Sequence, residues 1–240
     1  MKFSTLPRVY YDSALSENAV INIDATYLHY LKNVLRLKVN DSFRIFNGTN
    51  GEFIATIKEI MKHSLFIDIN NLIRKPEIIQ NLTLGICIIK MDRMLDAVNM
   101  AVQLGVSKIV PLIAQRSQFK TVNHDRLSKC IIEATEQSER LTPPLLHQTT
   151  LLKSYRLETY DTIIYANENE DKANSLVKRV DSLQSNLSFI VGPEGGFSNE
   201  ELEMFSLWGN AFSISLGSNI LRTETAVAAG LAQIMLFKKI

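Results

Sequence analysis

Phe189-Ile190-Val191-Gly192-Pro193-Glu194-Gly195-Gly196-Phe197-Ser198 and, after a helix-like segment, Ala211-Phe212-Ser213-Ile214-Ser215-Leu216-Gly217-Ser218-Asn219-Ile220-Leu221-Arg222-Thr223-Glu224-Thr225-Ala226 are two versions of one pattern. Each begins as an apolar run suited to a buried strand, passes into an unusual loop and continues as a helix. The first loop carries three glycines in five residues, interrupted by a proline and a glutamate. Glycine reaches positive φ and lets another molecule approach the backbone, whereas proline fixes φ and removes a donor. Loops of this kind, at the carboxyl ends of strands in an α/β sheet, are where ligands bind. Neither loop is a common nucleotide motif. The span Gly192–Gly196 lacks the G-x-G-x-x-G spacing, and no G-x-x-x-x-G-K-S/T occurs in the chain. From the residues alone this is a ligand site whose cofactor stays open.

Working outward, the same half of the chain alternates strands with helices. Asn81–Ile89 is a continuous apolar run, as a strand buried on both faces requires. Met94, Leu95, Val98 and Val102 recur at helical spacing over Asp92–Leu104, with Gly105 placed to end the helix. Ser107–Ile113 is the next strand, so the order β-α-β predicts a parallel sheet with crossover helices. A helix from an Asn123 cap to about Arg140, a strand over Asp161–Ala166, a helix through Val180 and a strand over Leu187–Val191 follow. Ser198 with Glu201 forms a capping box for the helix after the glycine loop. Glu224–Lys238 is the last helix, slim along Ala226, Ala228, Ala229, Gly230 and Ala232.

The amino-terminal part reads differently. Leu28–Arg36 suggests a short helix, and Ser42–Phe46, Glu52–Ile57 and Ser64–Ile69 are short strands between turn dipeptides such as Asn47-Gly48 and Asn50-Gly51. Short strands with tight turns predict a small β-barrel, and the charged, proline-bearing Ile73–Glu77 is the expected linker.

The two carboxyl-terminal motifs resemble those of a known family, the bacterial 16S rRNA uridine-N3 methyltransferases, commonly called RsmE, of the SPOUT class. The resemblance extends over nearly the whole chain. Asn219 stands where that family usually carries an arginine, and the Arg222-x-Glu224-Thr225 core is intact. The resemblance implies an α/β protein with a PUA-like RNA-binding β-barrel over residues 1–73. It implies a SPOUT methyltransferase domain over residues 77–240, with a mostly parallel sheet and a deep trefoil knot. It also implies a homodimer, S-adenosyl-L-methionine as cofactor, and methylation of uridine N3 in 16S rRNA of the small ribosomal subunit.

By the same resemblance, the cofactor walls are the backbone of Gly192, Pro193, Glu194, Gly195 and Gly196 and of Leu216, Gly217, Ile220 and Leu221. Asn219, Thr223 and Thr225 complete the set, with Tyr165, Ala166 and Asn167 at the end of the preceding strand. Catalysis falls to Arg222 and Glu224. A guanidinium stays protonated, so Arg222 is no base; it can stabilise charge developing on the uracil oxygens. Glu224 can accept a proton or hold Arg222. The alternative for the pair Arg222 and Glu224 is a structural ion pair at a helix start, where the dipole favours a carboxylate. RNA contacts are expected from Arg8, Lys32, Arg36, Arg116 and Lys120.

Composition bounds the rest. The chain has 240 residues with 46% hydrophobic and 21% charged residues, which describes a globular protein. A net charge of +1 leaves RNA binding to local basic clusters. No apolar run is long enough to span a membrane, and the stretch Met1–Arg8 lacks a signal-peptide core, so the expected location is cytoplasmic. Cys87 and Cys130 show no metal spacing and the four histidines share no motif, so no metal site is indicated. Two rival functions remain: a non-catalytic RNA-binding or assembly factor that kept the fold, and a related knotted tRNA or rRNA methyltransferase.

Overall fold

The computed structural model describes residues 5–23, 25–155, 162–168, 170, 176 and 185–237. It divides into two compact units, Met1–Ile78 with Thr135–Thr142, and Ile79–Ala134 with Pro143–Ile240.

The first unit is built on β1 (Arg8–Tyr10), β2 (Val20–Ile23), α1 (Ala25–His29), β3 (Ser42–Asn47), β4 (Gly51–Ile60) and β5 (Leu65–Arg74). The strands form one sheet in the order β1-β3-β4-β5-β2, parallel only between β1 and β3. Alternate residues fill its core: Phe43 and Ile45 of β3, Phe53, Ala55 and Ile57 of β4, and Leu65, Ile67 and Ile69 of β5. The alternation is that of strand side chains, but β3 is also buried on its other face, through Arg44 and Phe46. Asn47 makes the β3–β4 turn, its side-chain oxygen accepting from the N–H groups of Thr49 and Asn50 at 3.0 and 2.7 Å. Gly51 is required at φ +101°, where a Cβ would stand 2.3 Å from the Arg74 carbonyl oxygen. Among the described residues no pairing joins β2 back to β1, so the expected barrel is observed as a mixed five-stranded sheet. The ten-residue β4 departs from regular register with β5 at three places, and such bulges bend a strand. The expected helix over Leu28–Arg36 instead starts earlier as α1, passes into a π-helical turn over Tyr30–Val34, and stops at Arg36 with φ +56°.

The second unit contains β6 (Leu82–Cys87), α2 (Met91–Gln103), β7 (Lys108–Ile113), α3 (His124–Gln137, its end from Thr135 counted in the first unit), β8 (Leu145–Leu146) and β9 (Thr150–Leu151). It continues with β10 (Thr162–Ala166), β11 (Leu187–Val191), α4 (Asn199–Ser206), β12 (Ala211–Ile214) and α5 (Thr223–Phe237). Seven strands form a wholly parallel sheet in the order β12-β10-β11-β6-β7-β8, with β9 also on β7. Every residue of β6 and β11 is buried, which is why both read as unbroken apolar runs. The end of α2 follows from Gly105 at φ +81°. The Gly105 and Val106 N–H groups bond the Val102 and Ala101 carbonyls at 3.1 and 3.2 Å, which is a Schellman closure. Helix α3 stops at Gln137, short of the expected Arg140, and Glu139 takes φ +58°. The helix expected between β10 and Val180 lies outside the described residues, Glu170 and Leu176 apart.

Helix α5 is slim for a reason internal to the chain. A Cβ on Gly230 would stand 2.1 Å from the Phe189 ring of β11, so only glycine lets the helix lie this close to the sheet. Ala226, Val227, Leu231 and Ile234 are buried with it. Of the small residues singled out in sequence, Ala226 and Gly230 are therefore used against the chain's own sheet, and Ala232 faces outward.

Candidate active site

Because every pairing in this sheet is parallel, the carboxyl ends of β10, β11 and β12 lie on one side. The loops leaving them meet there around a cavity. The loop after β10 supplies Asn167 and Glu168, next to Ala166. That after β11 supplies Gly192, Pro193, Glu194, Gly196 and Phe197. That after β12 supplies Ser215 to Leu221, and Thr223 and Ala226 of α5 close the floor. Among the described residues Arg116, from the loop after β7, is the one cation on the lining, which also carries the carboxylates Glu168 and Glu194.

The geometry of the loops comes from local bonds. The Gly196 N–H bonds the Pro193 carbonyl at 2.9 Å, which closes a four-residue turn with Gly196 at φ +66°. A Cβ at Gly196 would meet the Glu168 carboxylate at 3.2 Å, and one at Gly192 would meet the Phe197 ring at 3.3 Å. Gly217 stands at φ +131°, a conformation side-chain-bearing residues rarely adopt. The predicted capping box is present: Ser198 Oγ accepts from Glu201 N at 3.2 Å, and the Ser198 N–H donates to Glu201 at 2.9 Å. The other Glu201 oxygen accepts from the Gln115 N–H at 2.7 Å, tying the loop after β7 to the start of α4. Thr223 Oγ1 donates to the Gly192 carbonyl at 3.1 Å, which joins the two motif loops.

Twelve of the residues named from sequence as cofactor walls line this cavity: Ala166, Asn167, Gly192, Pro193, Glu194, Gly196, Leu216, Gly217, Asn219, Ile220, Leu221 and Thr223. Three do not. Tyr165 lies behind it, stacked on Phe205 at 4.3 Å, with its phenol pushed up by burial. Gly195 sits off the lining: its Cβ position faces Arg116 at 3.4 Å, and its carbonyl accepts from that guanidinium at 3.1 Å. Thr225 is exposed on α5. Glu168 and Phe197 line the cavity and were not named from sequence, although Phe197 stands inside the first motif and Glu168 directly follows Asn167.

Arg222 is exposed and stands beside the lining residues Leu221 and Thr223. Glu224 does not hold it. Glu224 Oε1 instead accepts from Arg93 of α2 at 2.9 Å, and its Oε2 is buried with no hydrogen-bond partner. Glu224 therefore makes its ion pair with Arg93, a partner that sequence reasoning did not find, and not with Arg222.

The basic residues divide. Lys32, Arg36, Arg116 and Lys120 are exposed. Arg8 is a correction: it is 7% exposed and its guanidinium is committed inside the first unit. Its Nε bonds Glu52 at 2.7 Å, and its terminal nitrogens bond the carbonyls of Thr135, Glu136 and Arg140 at 3.2, 2.7 and 3.0 Å. Its flat face lies 4.0 Å from the centre of the Phe46 ring. The reason is Glu52, a carboxylate with no exposure at all that Arg8, Arg44 and Arg74 surround.

Comparison with known proteins agrees with this picture. Residues 76–235 match the model of an RNA methyltransferase domain, and residues 23–70 that of an RNA methyltransferase PUA domain. The chain is 49% identical to the ribosomal RNA small subunit methyltransferase E of Rickettsia conorii, over 95% of each chain. It is 30% identical to the protein of the same description from Buchnera aphidicola, over 96% of each. Among solved structures, the ribosomal RNA small subunit methyltransferase E of Neisseria gonorrhoeae bound to S-adenosyl methionine superposes with a TM-score of 0.83. That match has 27% identity and covers 96% of this chain and 97% of that one. A methyltransferase from Legionella pneumophila, solved with its bound cofactor SAM, matches equally, with a TM-score of 0.83.

Proposed function

The chain belongs to the ribosomal RNA small subunit methyltransferase E family, and from that premise we propose that it methylates N3 of a uridine in 16S rRNA with S-adenosylmethionine as donor. One observation carries the reading. Three loops from three neighbouring parallel strands surround a single cavity, and the hydrogen bond from Thr223 to Gly192 joins the two motif loops across it.

The residues present fit the cofactor. The walls are largely backbone, and at Gly192 and Gly196 any side chain would press on Phe197 or Glu168, so the cradle is kept open by glycine. Two carboxylates on the lining, Glu168 and Glu194, suit a ligand that carries a sulfonium and an ammonium. When bound, S-adenosylmethionine supplies the activated methyl group and carries the chemistry itself. What remains for the protein is orientation and charge. Arg222, exposed beside the lining, is free to meet the uracil oxygens and stabilise the charge that appears as N3 loses its proton. Glu224, held by Arg93, fixes the first turn of α5, from which Thr223 reaches the glycine loop.

Residues 77–240 carry methyl transfer, and residues 1–73 bind RNA through exposed cations such as Lys32 and Arg36. The strand order, with β12 beyond β10 and β11 returning to β6, supports the trefoil knot of the SPOUT class. The active form is a homodimer. The outward stripe of α5, with Ala232 and an 80%-exposed Leu236, supports this, since such a surface invites a second copy. Among the described residues no helix is long and apolar enough to cross a membrane. A substrate in the small ribosomal subunit supports a cytoplasmic location. The test is mass spectrometry of small-subunit rRNA nucleosides from cells with and without the gene, alongside calorimetry of S-adenosylmethionine binding. Loss of one 3-methyluridine on deletion is expected. Cofactor binding with unchanged nucleosides would leave the non-catalytic reading standing.

A further inference from the structure

The loop after β7 presents an aromatic ring to solvent. Phe119 is 41% exposed, between Gln118 and Lys120, both exposed as well. This is no slack segment. The Ala114 N–H bonds Ser117 Oγ at 3.0 Å, and the Ala114 carbonyl accepts from Ser117 N at 3.2 Å and from Lys120 Nζ at 3.3 Å. Arg116 bonds the Gly195 carbonyl at 3.1 Å, and Gln115 bonds Glu201. The loop is therefore pinned at its base and on the side of the cavity, with the ring left outside. The same loop buries Ser117 and leaves the phenyl group two positions later partly exposed. A ring that keeps part of its surface open on a loop held this firmly is available to a ligand.

We infer that Phe119 is a stacking platform for an unpaired base of the RNA substrate, held next to the base that enters the cavity. The inference rests on the RNA methyltransferase reading above. Its own support is the combination of groups on one short loop. Arg116 lines the cavity, Lys120 is exposed, and Phe119 stands between them in the sequence of the loop. Cations that neutralise phosphates, interleaved with a ring that stacks bases, are how single-stranded nucleic acid is held. Unstacked bases are also what sequence-specific RNA recognition targets.

The experiment compares full-length wild type with Phe119→Ala, Phe119→Leu and Phe119→Trp. It uses filter binding to in vitro transcribed 16S rRNA over a salt series, calorimetry with S-adenosylmethionine, and methyl transfer to unmethylated small subunits. Stacking predicts about tenfold weaker RNA binding for Phe119→Ala and for Phe119→Leu, within the range found on removing a stacking aromatic. The salt slope should be unchanged, since no phosphate contact is lost. Phe119→Trp should bind as wild type does, and cofactor affinity should be equal in all four. KM for subunits should rise with kcat held. Wild-type RNA affinity in Phe119→Ala, or recovery by leucine as complete as by tryptophan, would overturn the assignment. So would a shift in dimer dissociation with RNA affinity unchanged, or failure of the wild type to bind the transcript. Wild type that binds RNA yet transfers no methyl group would remove the enzymatic reading alone, with the Phe119 comparison still decided by binding.

Discussion

The Thr223 hydroxyl donates to the Gly192 carbonyl at 3.1 Å, so the first residue of α5 holds the glycine loop that follows β11. Thr223 is buried, and the carbonyl it serves belongs to the cavity wall. Replacing Thr223 by valine keeps the shape and removes the donor. A partly buried carbonyl left without its partner costs about 1–3 kcal/mol. Thr223→Val is expected to lower urea stability by that order and to weaken cofactor binding several-fold, while Thr223→Ser stays close to wild type. Calorimetry and urea titration check both.

Gly230 sets the distance between α5 and the sheet. An alanine there would gain about 1 kcal/mol of helix propensity. Its Cβ, however, would stand 2.1 and 2.5 Å from two ring atoms of a fully buried Phe189. Forcing extra atoms into a packed core costs about 1–3 kcal/mol, and more where the neighbour has nowhere to go. The clash outweighs the propensity, so Gly230→Ala should lower the melting temperature. Gly230→Ala combined with Phe189→Leu should be less destabilised than the two single changes added together, which a double-mutant cycle in thermal denaturation measures.

How much of this could be read from sequence depends on range along the chain. The loop at Gly192–Gly196, the end of α2 at Gly105 and the Ser198–Glu201 box were legible, because each is set by φ or by a bond across a few residues. Parallel pairing followed from the alternation of apolar runs and helical periods, although the sheet was expected only to be mostly parallel and every pairing in it is parallel. The partners of charged residues did not. Glu224 meets Arg93 across 131 residues, and Arg8 meets Glu52 across 44, and no local pattern marks either pair. That is why Arg8 read as an RNA contact although it is buried with Glu52. The π-helical turn at Tyr30–Val34 likewise has no periodic signature short enough to see in five residues.

The arginine cluster around Glu52 makes a test in the first unit. Arg8→Met removes the closest partner of a carboxylate with no solvent access and three carbonyl contacts besides. Breaking one side of a buried ion pair costs about 3–5 kcal/mol. The expected result is a large loss of stability, with RNA affinity unchanged at temperatures where the variant is folded. The same cluster gives a pH dependence through Glu139, whose carboxyl is held below its ordinary value of 4.5 chiefly by the hydrogen bond from Arg44. A folded-state pKa below the unfolded one stabilises above the unfolded value and loses that contribution as pH falls through the folded one. Glu139→Gln should therefore be less stable than wild type at neutral pH, and the gap should close on acidification below pH 4.5. Glu139 is half-exposed, so the gap should also shrink with added salt.

The last prediction separates the two charged residues of the Arg222-x-Glu224 core. Arg222 is exposed, whereas Glu224 is packed against Arg93 with one oxygen buried. If Arg222 stabilises charge at the reacting uracil, Arg222→Ala should leave the melting temperature and cofactor affinity near wild type and lower methyl transfer by about 10²–10³. Arg222→Lys should recover little, because a point charge replaces a planar fork. Glu224 should behave differently. Glu224→Gln keeps a hydrogen-bond acceptor for Arg93 and loses only the charge, so if the role is structural its turnover should stay within a few-fold of wild type. Arg93→Ala would then be the damaging change, since it strands a mostly buried carboxylate. Single-turnover methyl transfer and thermal denaturation of the four variants decide the matter. A hundredfold loss in Glu224→Gln at unchanged stability would make Glu224 part of the proton transfer, and wild-type turnover in Arg222→Ala would remove the charge-stabilising role from Arg222.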